Sequence, residues 1–130
     1  MRRTLLPVLA AAITATSAAH AGIQVGEVSS ARPDTLPTLR KAVEEEVARL
    51  SVKRDAIVSV SLVRLETARG ARGDSVTCVV SATLRTRSGN VFAILEGRAR
   101  AETERPVTLE TATMRTAVHS AISRIPDALK

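Results

Sequence analysis

The sequence predicts an α+β domain in the order β-α-β-β-β-α, with two helices packed on one face of a four-stranded, mainly antiparallel sheet. Three observations carry that expectation. The stretch TCVVSATLRTRSGNVFAILEGRARAE, Thr77 to Glu102, alternates apolar and polar residues, breaks at Ser88-Gly89-Asn90, and alternates again, as a β-hairpin does. Two other stretches repeat apolar residues at spacings of three and four, the period of a helix buried along one side. The apolar face of the hairpin is built largely from small residues, which leaves room for helices to lie close against it.

The first segment, MRRTLLPVLAAAITATSAAHA, stands outside that domain. Arg2 and Arg3 form a charged start, Leu5 to Ala12 an apolar run, and Ala19-His20-Ala21 a small-x-small cleavage site. This is the layout of a secretory signal peptide, with an apolar run too short for a permanent membrane span. The expectation is a removed segment 1–21 and a single domain over 22–130, periplasmic or secreted. Loss of Arg2 and Arg3 from the 19 basic residues leaves 17 against 13 acidic ones, a net charge of +4.

Each element then follows in order. GIQVGEVSS (22–30) reads as a first strand with Ile23 and Val25 on one side. ARPDTLP leads into a helix that Asp34 or Thr35 can cap, with Pro37 tolerated in the first turn. Leu36, Leu39, Val43, Val47 and Leu50 form its apolar stripe. Glu44, Glu45 and Glu46 fall off the stripe and read as a solvated face with pairs such as Glu45–Arg49, rather than as a cation site. DAIVSVSLVRLET (55–67) is the second strand; its alternation slips by one at Val63 and Leu65, which predicts a bulge or a stretch buried on both faces.

ARGARGD is a glycine-containing turn. In the hairpin, Val76, Cys78, Val80, Ala82 and Leu84 face one way. Val91, Ala93, Leu95, Gly97, Ala99 and Ala101 face the same way across a tight turn centred on Ser88-Gly89 or Gly89-Asn90. Pro106 ends the strand and Thr108 can cap the last helix. That helix carries Met114, Ala117, Val118, Ala121, Ile122 and Ile125 as its stripe until Pro126 stops it.

Composition removes several function classes. There is no Trp, no Tyr, and one Phe, Phe92, so the aromatic platforms that stack sugars or single-stranded nucleic acid have nothing to be built from. The single cysteine, Cys78, excludes an intrachain disulfide and reads as a small core residue. Beyond the signal segment there is one histidine, His119, beside a helical stripe; neither a zinc ligand set nor a nucleophile motif accompanies it. No catalytic residue, metal or cofactor is therefore assigned. Arg72-Gly73-Asp74 reads as a chance string in a turn whose glycine the geometry explains.

What remains is the second face of the hairpin. Val79, Phe92 and Ile94 would be exposed apolar groups there, and Arg98 and Arg100 would lie near the turn holding Arg69 and Arg72, giving an apolar patch rimmed by arginines. Such a patch suits binding, to an envelope protein or an anionic envelope polymer. An unpaired edge strand could also pair with another copy or a client chain. The alternatives from other classes are a small secreted hydrolase using His119 and a secreted effector or inhibitor acting through its loops.

The stretches TLPTLRKAVEEEVARL, VTCVVSATLRTRSGNVFAILEGRARAE and ATMRTAVHSAISRI, in that order, resemble the lipopolysaccharide-assembly lipoprotein family of Gram-negative outer membranes. The resemblance implies an envelope assembly partner without enzymatic activity, and carries over no site residues. That family is anchored through a cysteine after its signal peptide; this chain has Gly22 there.

Overall fold

The computed structural model describes residues 22–71, 73–103 and 106–130, with the backbone alone for 103 and 106–108. The expected signal segment and Arg72 lie outside the described residues. Strand β1 (Ile23–Ser30) leads through a 3-10 turn at Pro33–Thr35 into helix α1 (Leu36–Ala48). Strands β2 (Ala56–Gly70), β3 (Gly73–Arg85) and β4 (Val91–Thr103) follow, then α2 (Pro106–Ile122) and a short α3 (Ile125–Ala128). The sheet runs β1-β2-β3-β4, with β1 parallel to β2 and the remaining pairs antiparallel. This is the predicted α+β architecture and order.

Both long helices cover one face. Val58, Val60, Leu62, Cys78, Val80, Ala82 and Leu84 of the sheet meet Leu39, Ala42 and Val43 of α1 and Met114, Ala117, Val118, Ala121 and Ile122 of α2 in one core. Alternation along the strands thus sends one set of side chains under the helices and leaves the other, among the described residues, without a covering layer.

Irregularities fall where the alternation slips. The β2–β3 register shifts between Leu62 and Arg64, so Val63 is the extra residue of a bulge, as the phase slip predicted. A second shift, between Leu84 and Arg85, leaves Phe92 as an extra residue of β4 and joins the register of the β3–β4 turn to that of the rest of the hairpin. That turn is a three-residue loop, Arg87 to Gly89, rather than a two-residue one. The Gly89 amide donates to the Thr86 carbonyl, the Thr86 amide to the Asn90 carbonyl, and Gly89 holds φ +99°. A type I turn closed by a glycine of positive φ adds one residue to the second strand.

Three further details differ from expectation. Thr35 occupies the N-cap of α1, but its hydroxyl donates to the Arg32 carbonyl instead of capping. Helix α2 begins at Pro106, so Thr108 lies inside its first turn. Pro126 opens α3 rather than ending α2, a position where its missing amide costs nothing.

Candidate functional site

The uncovered face is a series of cross-strand rows. Ser59, Thr83 and Ile94 form one, Ser61, Ser81 and Glu96 the next. Beyond the bulge come Arg64, Val79 and Arg98, then Glu66, Thr77 and Arg100. Its centre is therefore small and hydroxylic, one end is apolar, and the other alternates in charge.

The apolar end belongs to β4. Ile94 is 66% exposed and Phe92 40%, as the hairpin pattern predicted. Val91 joins them at 51%: it was expected on the core face, but the shift after Leu84 sets it opposite Arg85, on the open side. Val63, 60% exposed at the bulge, is a fourth apolar group that alternation alone did not assign to this face.

Val79 departs from expectation. It lies on the open side yet is only 4% exposed. It sits on an inner strand with Arg64 and Arg98 directly opposite, and the aliphatic stems of long arginines cover apolar neighbours while their heads stay wet. It belongs to the packing of the face and not to its contact surface.

The arginines are less available than their number suggests. Arg98 Nε donates to Glu96 Oε1 at 3.0 Å, and Arg100 lies 3.7 Å from Glu102, each within its own strand. Arg64 stands 4.0 Å from Glu66 on β2. Arg69 does not join Arg98 and Arg100 as the sequence predicts, because the bulge reverses its side. It pairs with Asp74 in the set that includes Leu65↔Cys78 and Thr67↔Val76, the helix-side face. The rim is thus a ladder of paired charges, not a basic patch.

The turn before β3 is also tighter than the glycine pattern implied. Gly70 pairs with Gly73, and Gly73, at φ +127°, and Asp74 are already strand. Asp74 lies between Arg69 and Thr103, so Gly73 and Asp74 belong to the sheet and not to a loop.

The groups weighed for catalysis have structural partners. His119 Nδ1 lies 2.8 Å from Glu46 Oε1, and Arg115 Nη1 2.6 Å from Glu45 Oε1, so two carboxylates of the acidic triplet tie α1 to α2. The anticipated Glu45–Arg49 pair is replaced by Glu46–Arg49 at 2.8 Å. Hydrogen bonding from Arg115 holds the Glu45 carboxyl below its ordinary value. Cys78 is fully buried, and burial pushes its thiol up to about 11. Among the described residues no group of three or more His, Cys, Asp or Glu could hold a metal ion, and no helix is long and apolar enough to cross a membrane.

One depression of about 250 Å³ lies where β1 leaves the sheet, between Ser30, Arg32 and the bulged segment Leu62–Glu66. Arg32 is already engaged there with Asp34 at 3.1 Å and Glu110 at 3.3 Å.

No family model and no curated protein matches the chain. Among solved structures it is similar to a protein of Caulobacter crescentus CB15 described as a "putative lipoprotein", with TM-score 0.53 and 15% identity over 82% of this chain and 86% of that one. Lipoprotein GNA1162 from Neisseria meningitidis gives 0.45 and 15%, covering 81% of this chain and 99% of that one. A minor lipoprotein from Acinetobacter baumannii gives 0.43 and 12%, covering 79% and 91%. At such identities a likeness speaks for fold alone, and the first of the three is close enough for that: the chain shares its fold with the Caulobacter protein.

Proposed function

We propose that this chain is an exported, non-enzymatic binding module of the bacterial cell envelope that docks another envelope protein through the open face of its sheet. The observation that carries the reading is the cluster of Val91, Phe92 and Ile94, solvent-exposed on one edge strand of a face that no helix covers among the described residues. Isolated exposed apolar residues are ordinary; three together on a strand mark a contact surface. The signal-like start of the sequence and the fold shared with the Caulobacter protein support the envelope setting. An assembly role like that of the lipopolysaccharide-assembly lipoproteins is the finer form of the same reading, and it rests on the order of elements. A protein suits the face better than an anionic polymer, because Arg98 and Arg100 are already neighboured by Glu96 and Glu102.

A photocrosslinking residue at position 94 in producing cells tests this, beside one at Thr116, exposed on the helical side. Adducts with a specific envelope protein from position 94, absent from position 116 and lost on Phe92→Glu, support docking. Identical adducts from the two positions, or none, overturn it.

A second reading has one observation in its favour. The Glu46 carboxylate holds His119 as an orienting carboxylate does in hydrolase triads. Among the described residues no hydroxyl or thiol is bonded to that imidazole. An activity surviving His119→Ala would remove it.

A further inference from the structure

Strand β4 is an outer strand of the sheet, with no neighbour beyond it among the described residues. Its 13 residues, Val91 to Thr103, leave one row of backbone amides and carbonyls unpaired. Which residues those are can be read from Arg124, between α2 and α3, whose guanidinium donates to the Glu96 carbonyl. That carbonyl points away from β3. Because backbone direction alternates along a strand, the polar groups of Ile94, Glu96, Arg98 and Arg100 point outward together. Of the four large exposed hydrophobic residues among those described, three also lie on β4.

We infer that β4 pairs antiparallel with β4 of a second copy about a two-fold axis at Gly97, joining the two sheets into one. The register is what argues for a second copy. Gly97 is the midpoint of Val91–Thr103, so an axis there overlaps the strand along its whole length. In that register outward-facing residues meet outward-facing residues, as a new hydrogen-bonded ladder requires. Glu96 then stands opposite Arg98 of the other copy, twice by symmetry, and Ile94 opposite Arg100, whose stem can cover it. The two neighbouring registers of the same parity fail: one sets Glu96 against Glu96 and the other Arg98 against Arg98. Charges that would guard an edge against arbitrary strands are thus complementary in the single full-overlap register. Arg124 does not forbid the pairing, because a carbonyl oxygen accepts two hydrogen bonds. The inference uses the backbone edge of β4 and is independent of docking on the open face.

Sedimentation equilibrium of the purified protein over a range of concentrations tests it, with charge-reversed variants. The expected wild-type result is a reversible dimer. Glu96→Arg and Arg98→Glu each place like charges opposite one another and should weaken self-association about tenfold or more. Mixing the two single variants restores opposite charges at both positions, and so does combining the substitutions in one chain; both should recover the dimer. Circular dichroism checks that each variant is folded. A wild type that stays monomeric overturns the proposal and leaves the edge to a different protein. A dimer indifferent to both reversals, or variants that do not recover on mixing, overturns it as well.

Discussion

Gly97 of β4 lies directly beneath Ala117 of α2. A methyl group built on Gly97 would collide with the Ala117 carbonyl oxygen and come within 2.8 Å of the Ala121 amide nitrogen. These obstacles are helix backbone, which cannot rotate away as a side chain can. The absence of one Cβ therefore sets how closely α2 approaches the sheet.

Gly97→Ala should be strongly destabilising, although alanine is the better strand residue by roughly 0.5–1 kcal/mol in an open site. Lifting a helix off a close-packed face loses contacts along its length, and about 3 kcal/mol or more is expected. Urea denaturation followed by circular dichroism reads this as a lowered midpoint. An unchanged midpoint would mean that α2 is not seated on Gly97.

Thr113 gives the opposite expectation. Its Oγ1 is buried in α2 with no hydrogen-bond partner among the described residues. A buried unsatisfied hydroxyl costs about 1–3 kcal/mol, while valine keeps the shape without the polar group. Thr113→Val should stabilise by about 1 kcal/mol, which for a domain near this size raises Tm by roughly 4–8 °C. A drop in Tm on thermal unfolding would reveal a partner for the hydroxyl.

These two sites show where sequence reading succeeds. Strand and helix periods identified the inward residues of β3 and both helical stripes, because burial on one face imposes those periods. The slip at Val63 forecast the bulge for the same reason. What alternation cannot register is a residue inserted between two regular stretches. The loop Arg87–Gly89 turned Val91 outward, and the Val63 bulge moved Arg69 to the helix side. Val79 differs from the alternation pattern for another reason: it is 4% exposed although it lies on the open side. Face assignment says which way a side chain points, but its exposure depends on neighbouring strands that are distant in sequence. The open face was legible from one hairpin, and its charge pairing was not.

The Glu45–Arg115 bridge predicts an acid-side effect. Arg115 depresses the Glu45 carboxyl by hydrogen bonding, so the folded state holds its proton less tightly than the unfolded chain does. A depressed carboxyl contributes stability above its ordinary value of 4.5, and that contribution is lost as pH falls through the lower folded value. An NMR titration of the Glu45 carboxyl carbon should give a midpoint below 4.5 that moves up in Arg115→Ala. An identical midpoint in the two proteins would show the bridge to be open in solution.

Cys78 predicts the alkaline counterpart. Its side chain is fully buried, and that burial raises the thiol pKa from 9.0 to about 11. Thiolate is the reactive form, so the native protein should not react with a disulfide reagent at pH 8, and should react with one equivalent once unfolded in urea. The sign of the linkage follows from the same shift. Below pH 9 the thiol is neutral whether folded or unfolded, and the shift has no effect on stability. Between 9 and 11 the unfolded thiol ionises while the folded one does not, which favours unfolding as pH rises. Cys78→Ala removes that alkaline slope and leaves a small cavity under the helices, so it should lower stability at pH 7 by about 1 kcal/mol while flattening the decline above pH 9. Rapid labelling of the native protein would instead place Cys78 at a surface that opens readily, and α2 would then be loosely held on the sheet.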